Sequence, residues 1–215
     1  MRLFKVCFLE ENMNKVITVG REFGSGGREL ARRLAAELGY AYYDSEVLTA
    51  IVDHTELSES YVKEIVEGKS YRLFPITIEH TLSASYDYNI KRIQEIYSAQ
   101  TEVIREMSQK SSCVIVGRCA DFILREVENI ELYRIFVYAD FEARLERCKD
   151  RAPEGETLTE KDIRKMIQKI DKARANYYED YTLQRWGDKQ YYDLCINTGN
   201  IDIEEFVPHF AKFFM

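Results

Sequence analysis

Three glycines and two arginines fall within the eight residues from Arg21 to Arg28, in the run Gly20-Arg21-Glu22-Phe23-Gly24-Ser25-Gly26-Gly27-Arg28-Glu29. This combination suits the binding of an anion. Glycines let the backbone approach a ligand closely and take conformations closed to other residues. Amides at the start of a following helix point at a bound anion, and the helix dipole favours negative charge there. Arg21 and Arg28 add formal positive charge. A plain tight turn needs neither the arginines nor so many glycines. The flanking elements can present such a loop. Lys15-Val16-Ile17-Thr18-Val19 reads as a short buried strand. From Glu29 the apolar period becomes helical, with Leu30, Ala31, Leu34, Ala35 and Leu38 on one face. Gly39 then suits a left-handed helix stop. Tyr40-Ala41-Tyr42-Tyr43 reads as a second strand ending at Asp44, which completes a βαβ unit.

The turn resembles the phosphate-binding loop of nucleoside-monophosphate kinases, whose pattern is G-x-x-x-x-G-K-[ST]. With Gly26 in the last glycine slot, Gly27 replaces the lysine and Arg28 the hydroxyl; with Gly27 there, Arg28 replaces the lysine and Glu29 the hydroxyl. In either register the cation must come from Arg28 or Arg21 or be missing, and magnesium must be held by Ser25, a carboxylate or the nucleotide itself. Dinucleotide binding competes. Asp44 lies twenty residues after Gly24, as a ribose-binding acid would, but G-x-G-x-x-G fails where Glu29 fills its third glycine slot.

With 215 residues, 46% of them apolar, the chain can bury a real core. A net charge of −7 and no long basic run argue against bulk nucleic-acid binding. Cys7, Cys113, Cys119, Cys148 and Cys195 are odd in number, scattered and mostly in apolar settings, which predicts buried free thiols in a reducing cytoplasm. His54, His80 and His209 make no metal signature, and no apolar run is long enough to span a membrane. Residues 1–12 have too short an apolar core for a signal peptide and read as an extension or a small edge strand.

Further along, Ser45–Gly68 predicts two helical pieces that break at Glu56–Ser60. Lys69–Tyr88 is irregular, and a long helix follows from about Tyr88 to Gln109. Cys113–Val116 is a continuous apolar run, as expected for a central parallel strand. It ends in Gly117-Arg118-Cys119-Ala120-Asp121, with a short helix to Arg125. Tyr133–Tyr138 is the next strand, and Asp140 caps a helix from Phe141 to about Lys149. After a turn at Arg151–Glu156, Thr157 to about Tyr178 is a long charged helix with a capping-box signal at Thr159 and Asp162. Tyr191–Thr198 is the last strand, and Ile203–Phe214 is a closing helix containing Pro208. Five strands alternating with helices predict an α/β three-layer sandwich, a five-stranded parallel sheet with helices on both faces. Ligands of such sheets bind at the C-terminal strand edge, where Gly24–Arg28, Asp44 and Arg118 all follow strands.

Arg21–Glu29, Tyr42-Tyr43-Asp44, Gly117–Asp121, Asp171-Lys172-Ala173-Arg174 and Tyr192-Asp193-Leu194-x-Ile196-Asn197-Thr198 together resemble the cytidylate kinase-like family of P-loop kinases, over roughly residues 14–210. The resemblance implies a single P-loop kinase domain over 1–215, with an acceptor-binding helical region at about 45–110 and a lid at about 151–186. It implies ATP and Mg2+, with transfer of the ATP γ-phosphoryl group to a nucleoside monophosphate, CMP or dCMP first. Arg21, Gly24, Ser25, Gly26, Gly27, Arg28 and Glu29 would then hold ATP, with Ser25 toward the metal. Asp44, Arg118, Asp121 and Asp171 would hold the acceptor, and Arg28, Arg118 and Arg174 would neutralise the transferring group. Cytidylate kinases carry an aspartate where this chain has Cys119, and an Arg-Asp pair where it has Ile167 and Gln168; Lys169, Lys172 and Arg185 are candidates to restore that charge. Two other readings stay open: a nucleotide-binding protein with little or no kinase activity, and a kinase of another small metabolite. Plainer roles also exist for single residues. Asp44 can cap the next helix, Arg118 can serve a structural ion pair, Lys172 and Arg174 can lie on a solvated face, and Tyr177, Tyr178 and Tyr181 can be packing. Cys119, with no histidine near it in sequence, reads as a buried thiol.

Overall fold

The computed structural model describes residues 13–55, 57–66, 83–151 and 159–215, with backbone alone for 83–90. The suggested extension at 1–12 and the turn residues 152–156 lie outside the described residues. So does the irregular stretch from Lys69 as far as residue 82.

Strand β1 (Asn14–Arg21) is central. It leads into α1 (Gly27–Leu38), β2 (Ala41–Tyr43), α2 (Ser45–His54), α3 (Glu59–Val66) and α4 (Ser83–Lys110). Then come β3 (Cys113–Val116), α5 (Ala120–Ile123), β4 (Ile130–Tyr138), α6 (Phe141–Asp150) and α7 (Glu160–Thr182). A 3-10 turn at Lys189–Tyr191, β5 (Leu194–Asn197) and α8 (Ile203–Ala211) complete the chain. The sheet order is β2-β3-β1-β4-β5, with every pairing parallel. The expected fold class is therefore the observed one.

Strand alternation divides the core in two. Cys113 and Ile115 of β3 face a layer built from α2, α3 and α4, with Ile51, Val62, Ile96 and Ile104. Val114 and Val116, with Ile17 and Val19 of β1, face α1 and α8 through Leu30, Leu34, Val207 and Phe214. A small third cluster, Leu145, Ile163 and Ile167, joins α6 to α7 and takes in Phe23 from the glycine-rich loop. Among the described residues no helix is long and apolar enough to cross a membrane.

Several boundaries differ from the expected ones, each for a local reason. β1 continues through Gly20 and Arg21, because the nine-residue β4 extends the ladder to Gly20↔Phe136 and Arg21↔Val137. The turn is thus shortened to Glu22–Gly26, and α1 starts at Gly27 behind the left-handed Gly26 (φ 79°). Gly39 ends α1 at φ 68°, as expected, but the Tyr40 amide then donates to Ala35 O, so β2 begins one residue late. α4 begins at Ser83, inside the stretch expected to be irregular. Thr159 does cap α7, accepting from the Asp162 amide. Pro208 lies inside α8.

Asp193 precedes β5 instead of belonging to it. Its carboxylate accepts from the Arg134 amide (2.8 Å) and from Arg134 Nε (3.1 Å) and Nη2 (2.6 Å), which pins the β5 edge to β4. Partial burial pushes this carboxyl's pKa up, but the Arg134 bonds outweigh it and hold the group below its ordinary value. A depressed carboxyl stabilises the fold above its unfolded pKa and loses that contribution as pH falls through the folded value. With 38% of the Asp193 side chain exposed, solvent screens the pair. Asp193→Asn should therefore cost about 0.5–1 kcal/mol at pH 7. The gap from the parent in urea melts should close as the pH is lowered through the Asp193 titration.

Candidate active site

The loop between β1 and α1 is built so that its carbonyls face backwards. Arg21 O accepts from Arg174 Nη1 (3.0 Å), and Glu22 O accepts from Ser25 Oγ (2.9 Å). Phe23 O accepts from Arg144 Nη1 (3.3 Å) and Gly24 O from Arg147 Nη1 (3.0 Å). Ser25 O accepts from Thr198 Oγ1 (2.5 Å), and Gly26 O from the Leu30 amide (2.9 Å). Every carbonyl from residue 21 to residue 26 thus has a donor. The amides of Gly24, Gly26, Arg28 and Glu29 have no such partner among the described residues. Unpaired amides at a helix N-terminus are an anion-binding surface that needs no lysine. The glycines are forced by packing as well as by backbone: at Gly24 (φ 79°) a Cβ would stand 2.9 Å from Arg144 O, and at Gly26 it would collide with Ile203.

Beside the loop, at the C-terminal edge of the sheet, opens a cavity of about 500 Å³. Arg21, Arg28, Arg118 and Arg174 all line it, with Phe23, Lys169, Tyr177, Tyr178, Trp186 and Tyr192 among the other walls. The extension of β1 places Arg21, whose guanidinium packs over Gly117, where any Cβ would overlap it. Arg118 is left-handed (φ 58°) and is held there by Gln100, whose Nε2 donates to Arg118 O (3.0 Å) and whose Oε1 accepts from Tyr177 OH (2.8 Å). Its own Nη1 donates to Val66 O at the end of α3 (2.9 Å). Arg174 reaches across from α7 over the Phe23 ring, 5.8 Å from its centroid.

Two of the cations share one carboxylate. Asp44 Oδ2 lies 2.7 Å from Arg28 Nε, and Oδ1 lies 3.8 Å from Arg21 Nη2. Asp44 stands at the N-cap position of α2 but makes no side-chain capping bond, so its carboxylate serves the arginines instead. Burial, and then Arg174, lower the Arg21 pKa well below its ordinary value; Asp44 opposes this, and Arg118 and Arg28 add to it. Burial likewise lowers Arg174 to about 10, against the pull of Asp171 and with further repulsion from Arg28 and Arg118. An anionic ligand in the cavity would relieve that repulsion.

The structure therefore brings Arg21, Arg28, Asp44, Arg118, Asp121 and Arg174 to one cavity or its rim, and separates others. Asp121 is buried, accepts from Tyr178 OH (2.6 Å), and has its pKa raised by that burial, with the Tyr178 bond opposing. Asp171 lines no part of the cavity: its oxygens accept from the Phe23 amide (2.7 Å) and from Arg144 Nη1 (2.5 Å). Glu29 turns away to Arg33 and Arg151. Ser25 is fully buried, donating to Glu22 O and accepting from the Gly27 amide (3.3 Å). That hydroxyl is already committed, Asp44 is paired, and the described residues hold no group of three or more metal-ligating side chains. The described residues therefore do not fit a resident metal. Lys169 lines the cavity, whereas Lys172 and Arg185 are exposed outside it. Arg144, Arg147 and Gln100 were not singled out by sequence; Arg144 and Arg147, three apart on α6, carried only the signal of one shared helix face.

The sequence profile of the cytidylate kinase-like family matches residues 16–200. No curated protein sequence matches. Among solved structures, an uncharacterized protein from Eubacterium ventriosum is 28% identical, over 93% of this chain and 98% of its own, with a TM-score of 0.65. The protein TT1252 from Thermus thermophilus (15% identity, 94% and 96% coverage, TM-score 0.52) and shikimate kinase from Bacteroides thetaiotaomicron (13%, 94% and 98%, 0.51) share the fold.

Cys119 also lines the cavity but is buried, and burial, then Asp121, push its thiol well above the ordinary value. Cys113 and Cys119 are buried, as expected for most of the cysteines, whereas Cys195 is exposed. Limited alkylation of the native protein, read by peptide mass spectrometry, should label Cys195 well before Cys113 or Cys119, which should react only on unfolding. Rapid labelling of Cys119 would show a nucleophilic thiol in the cavity.

Proposed function

The chain belongs to the cytidylate kinase-like family, and from that premise we propose that it transfers a phosphoryl group from ATP to a nucleoside monophosphate, CMP or dCMP foremost. Four arginines on one cavity beside a loop of unpaired amides is the observation that carries this reading. Bound ATP supplies the phosphoryl group. The amides of Gly24, Gly26, Arg28 and Glu29 receive its phosphates, and the Arg28 side chain adds the charge that lysine gives in the usual loop. Arg118 and Arg21 bind the acceptor's phosphate, and Asp44 accepts from its hydroxyls. Arg174 and Lys169 neutralise charge as the group moves. Such transfer needs little covalent help from the protein; positioning, charge neutralisation and exclusion of water supply the rate. Magnesium enters as part of the nucleotide complex, since the described residues build no site for it. Residues 1–215 form one kinase unit working in the cytoplasm, with 45–110 receiving the acceptor and 151–186 covering the site.

A second reading is a nucleotide-binding protein with little or no transfer. It is favoured by Arg28, which is 69% exposed and tied to Asp44 where a Walker lysine would point at phosphate. A kinase of another small phosphorylated or hydroxylated metabolite fits the same arginines.

ADP release from Mg-ATP, coupled to NADH oxidation across a panel of nucleoside monophosphates and other acceptors, separates these readings. Acceptor-dependent release is expected, greatest with CMP or dCMP. Arg118→Ala or Arg174→Ala should lower kcat/KM by on the order of 10³-fold, and Arg28→Ala should raise the KM for ATP. ATP binding without acceptor-dependent release would favour the second reading.

A further inference from the structure

One residue of the glycine-rich loop, Phe23, is gripped through both of its backbone polar groups. The Phe23 amide donates to Asp171 Oδ1 of α7 at 2.7 Å, and the Phe23 carbonyl accepts from Arg144 Nη1 of α6 at 3.3 Å. The same Arg144 nitrogen donates to Asp171 Oδ2 at 2.5 Å, closing a ring of three partners. Arg144 is only 8% exposed; its Nε lies 3.5 Å from Glu22 Oε2 and makes no hydrogen bond. Glu22 Oε2 in turn accepts from the Ala139 amide (3.2 Å). One helical turn beyond Asp171, on the same face of α7, Arg174 holds Arg21 O. The chain is thus sewn to α7 through Arg21 O and the Phe23 amide, and to α6 behind through the Phe23 and Gly24 carbonyls.

Buried ion pairs are costly to desolvate, and well-packed apolar residues often serve stability as well or better. What an apolar pair would not supply is a fixed orientation of the Phe23 peptide. We infer that Arg144 and Asp171 are positioning residues for the donor nucleotide: together they hold the loop with its amides outward and lock α7, with Arg174 and Lys169, against it. The inference rests on the reading of this loop as the ATP site. It reassigns Asp171, which the family resemblance places on the acceptor, because both of its oxygens are already engaged by the loop and by Arg144.

The test is to measure ATP and CMP separately. Calorimetric Kd values for a non-hydrolysable magnesium-ATP analogue and for CMP, with the matching KM values, are compared for the parent, Asp171→Asn, Arg144→Lys and the apolar pair Asp171→Leu with Arg144→Met. Asp171→Asn, which preserves shape, should weaken the ATP analogue about tenfold or more while CMP changes by less than twofold. Arg144→Lys, which retains the charge but loses the planar fork, should weaken the analogue in the same direction and by less. The apolar pair should remain folded by circular dichroism and still bind the analogue poorly. A rise confined to the CMP constants would place Asp171 on the acceptor and overturn the inference while the kinase reading stands. Parent-like ATP affinity in the apolar pair would reduce the clamp to a packing device and also overturn it. Failure of the parent to bind the ATP analogue would remove the kinase reading itself, and the inference with it.

Discussion

Like charges held a few ångströms apart in a partly dry cavity repel one another, and no arrangement of the surrounding apolar core removes that cost. Arg21, Arg28, Arg118 and Arg174 share a cavity with Asp44 as the carboxylate paired to two of them. Much of the local architecture exists to hold this assembly in place. β1 runs two residues past its expected end at Val19, which sets Arg21 at the sheet edge. Gly117 has no side chain to displace the Arg21 guanidinium, and Arg118 is held in the left-handed region by Gln100. Arg174 is anchored through a backbone carbonyl, and burial lowers its pKa despite the pull of Asp171. That cluster is the feature on which the proposed phosphoryl-transfer reading rests.

Much of this was legible in the residues. The change of apolar period at Glu29, the four-residue run Cys113–Val116 and the glycine at position 39 each reported a local rule that the fold obeys. Arg21, Asp44 and Arg118 were findable because each follows a strand, and parallel topology delivers strand ends to one edge. What escaped was set by contacts distant in sequence. Whether β1 stops at Val19 or continues to Arg21 depends on the length of β4, more than a hundred residues away. Arg144 and Arg147 looked like ordinary charges on a polar helix; only the packing of α6 behind the loop turns them toward loop carbonyls. Ser25 had the right chemistry for a metal, but its burial and two local hydrogen bonds could not be read from its neighbours.

Asp171 and Arg174 show how one spacing can carry two meanings. Three residues apart on a charged helix, they share a face, and the family pattern points that face at phosphate. In the fold the face meets the loop backbone first: Asp171 takes an amide, Arg174 a carbonyl, and only the arginine also reaches the cavity. The same helix sends Tyr177 and Tyr178 to Gln100 and Asp121, so these rings are framework and cavity wall together.

The strand order has a consequence for how the chain comes into being. β1 and β2, which bracket the glycine-rich loop within thirty residues, do not pair with each other; β3 lies between them. As the chain leaves the ribosome, the apolar run Val16–Val19 therefore has no strand partner until Cys113–Val116 has been synthesised, and its second side stays open until Ile130–Tyr138 follows. At roughly 5–20 residues per second, that interval lasts many seconds, with a bare β-forming segment exposed throughout. The opening unit, compact in sequence, therefore cannot be completed as a sheet until β3, and on its second side β4, has been made.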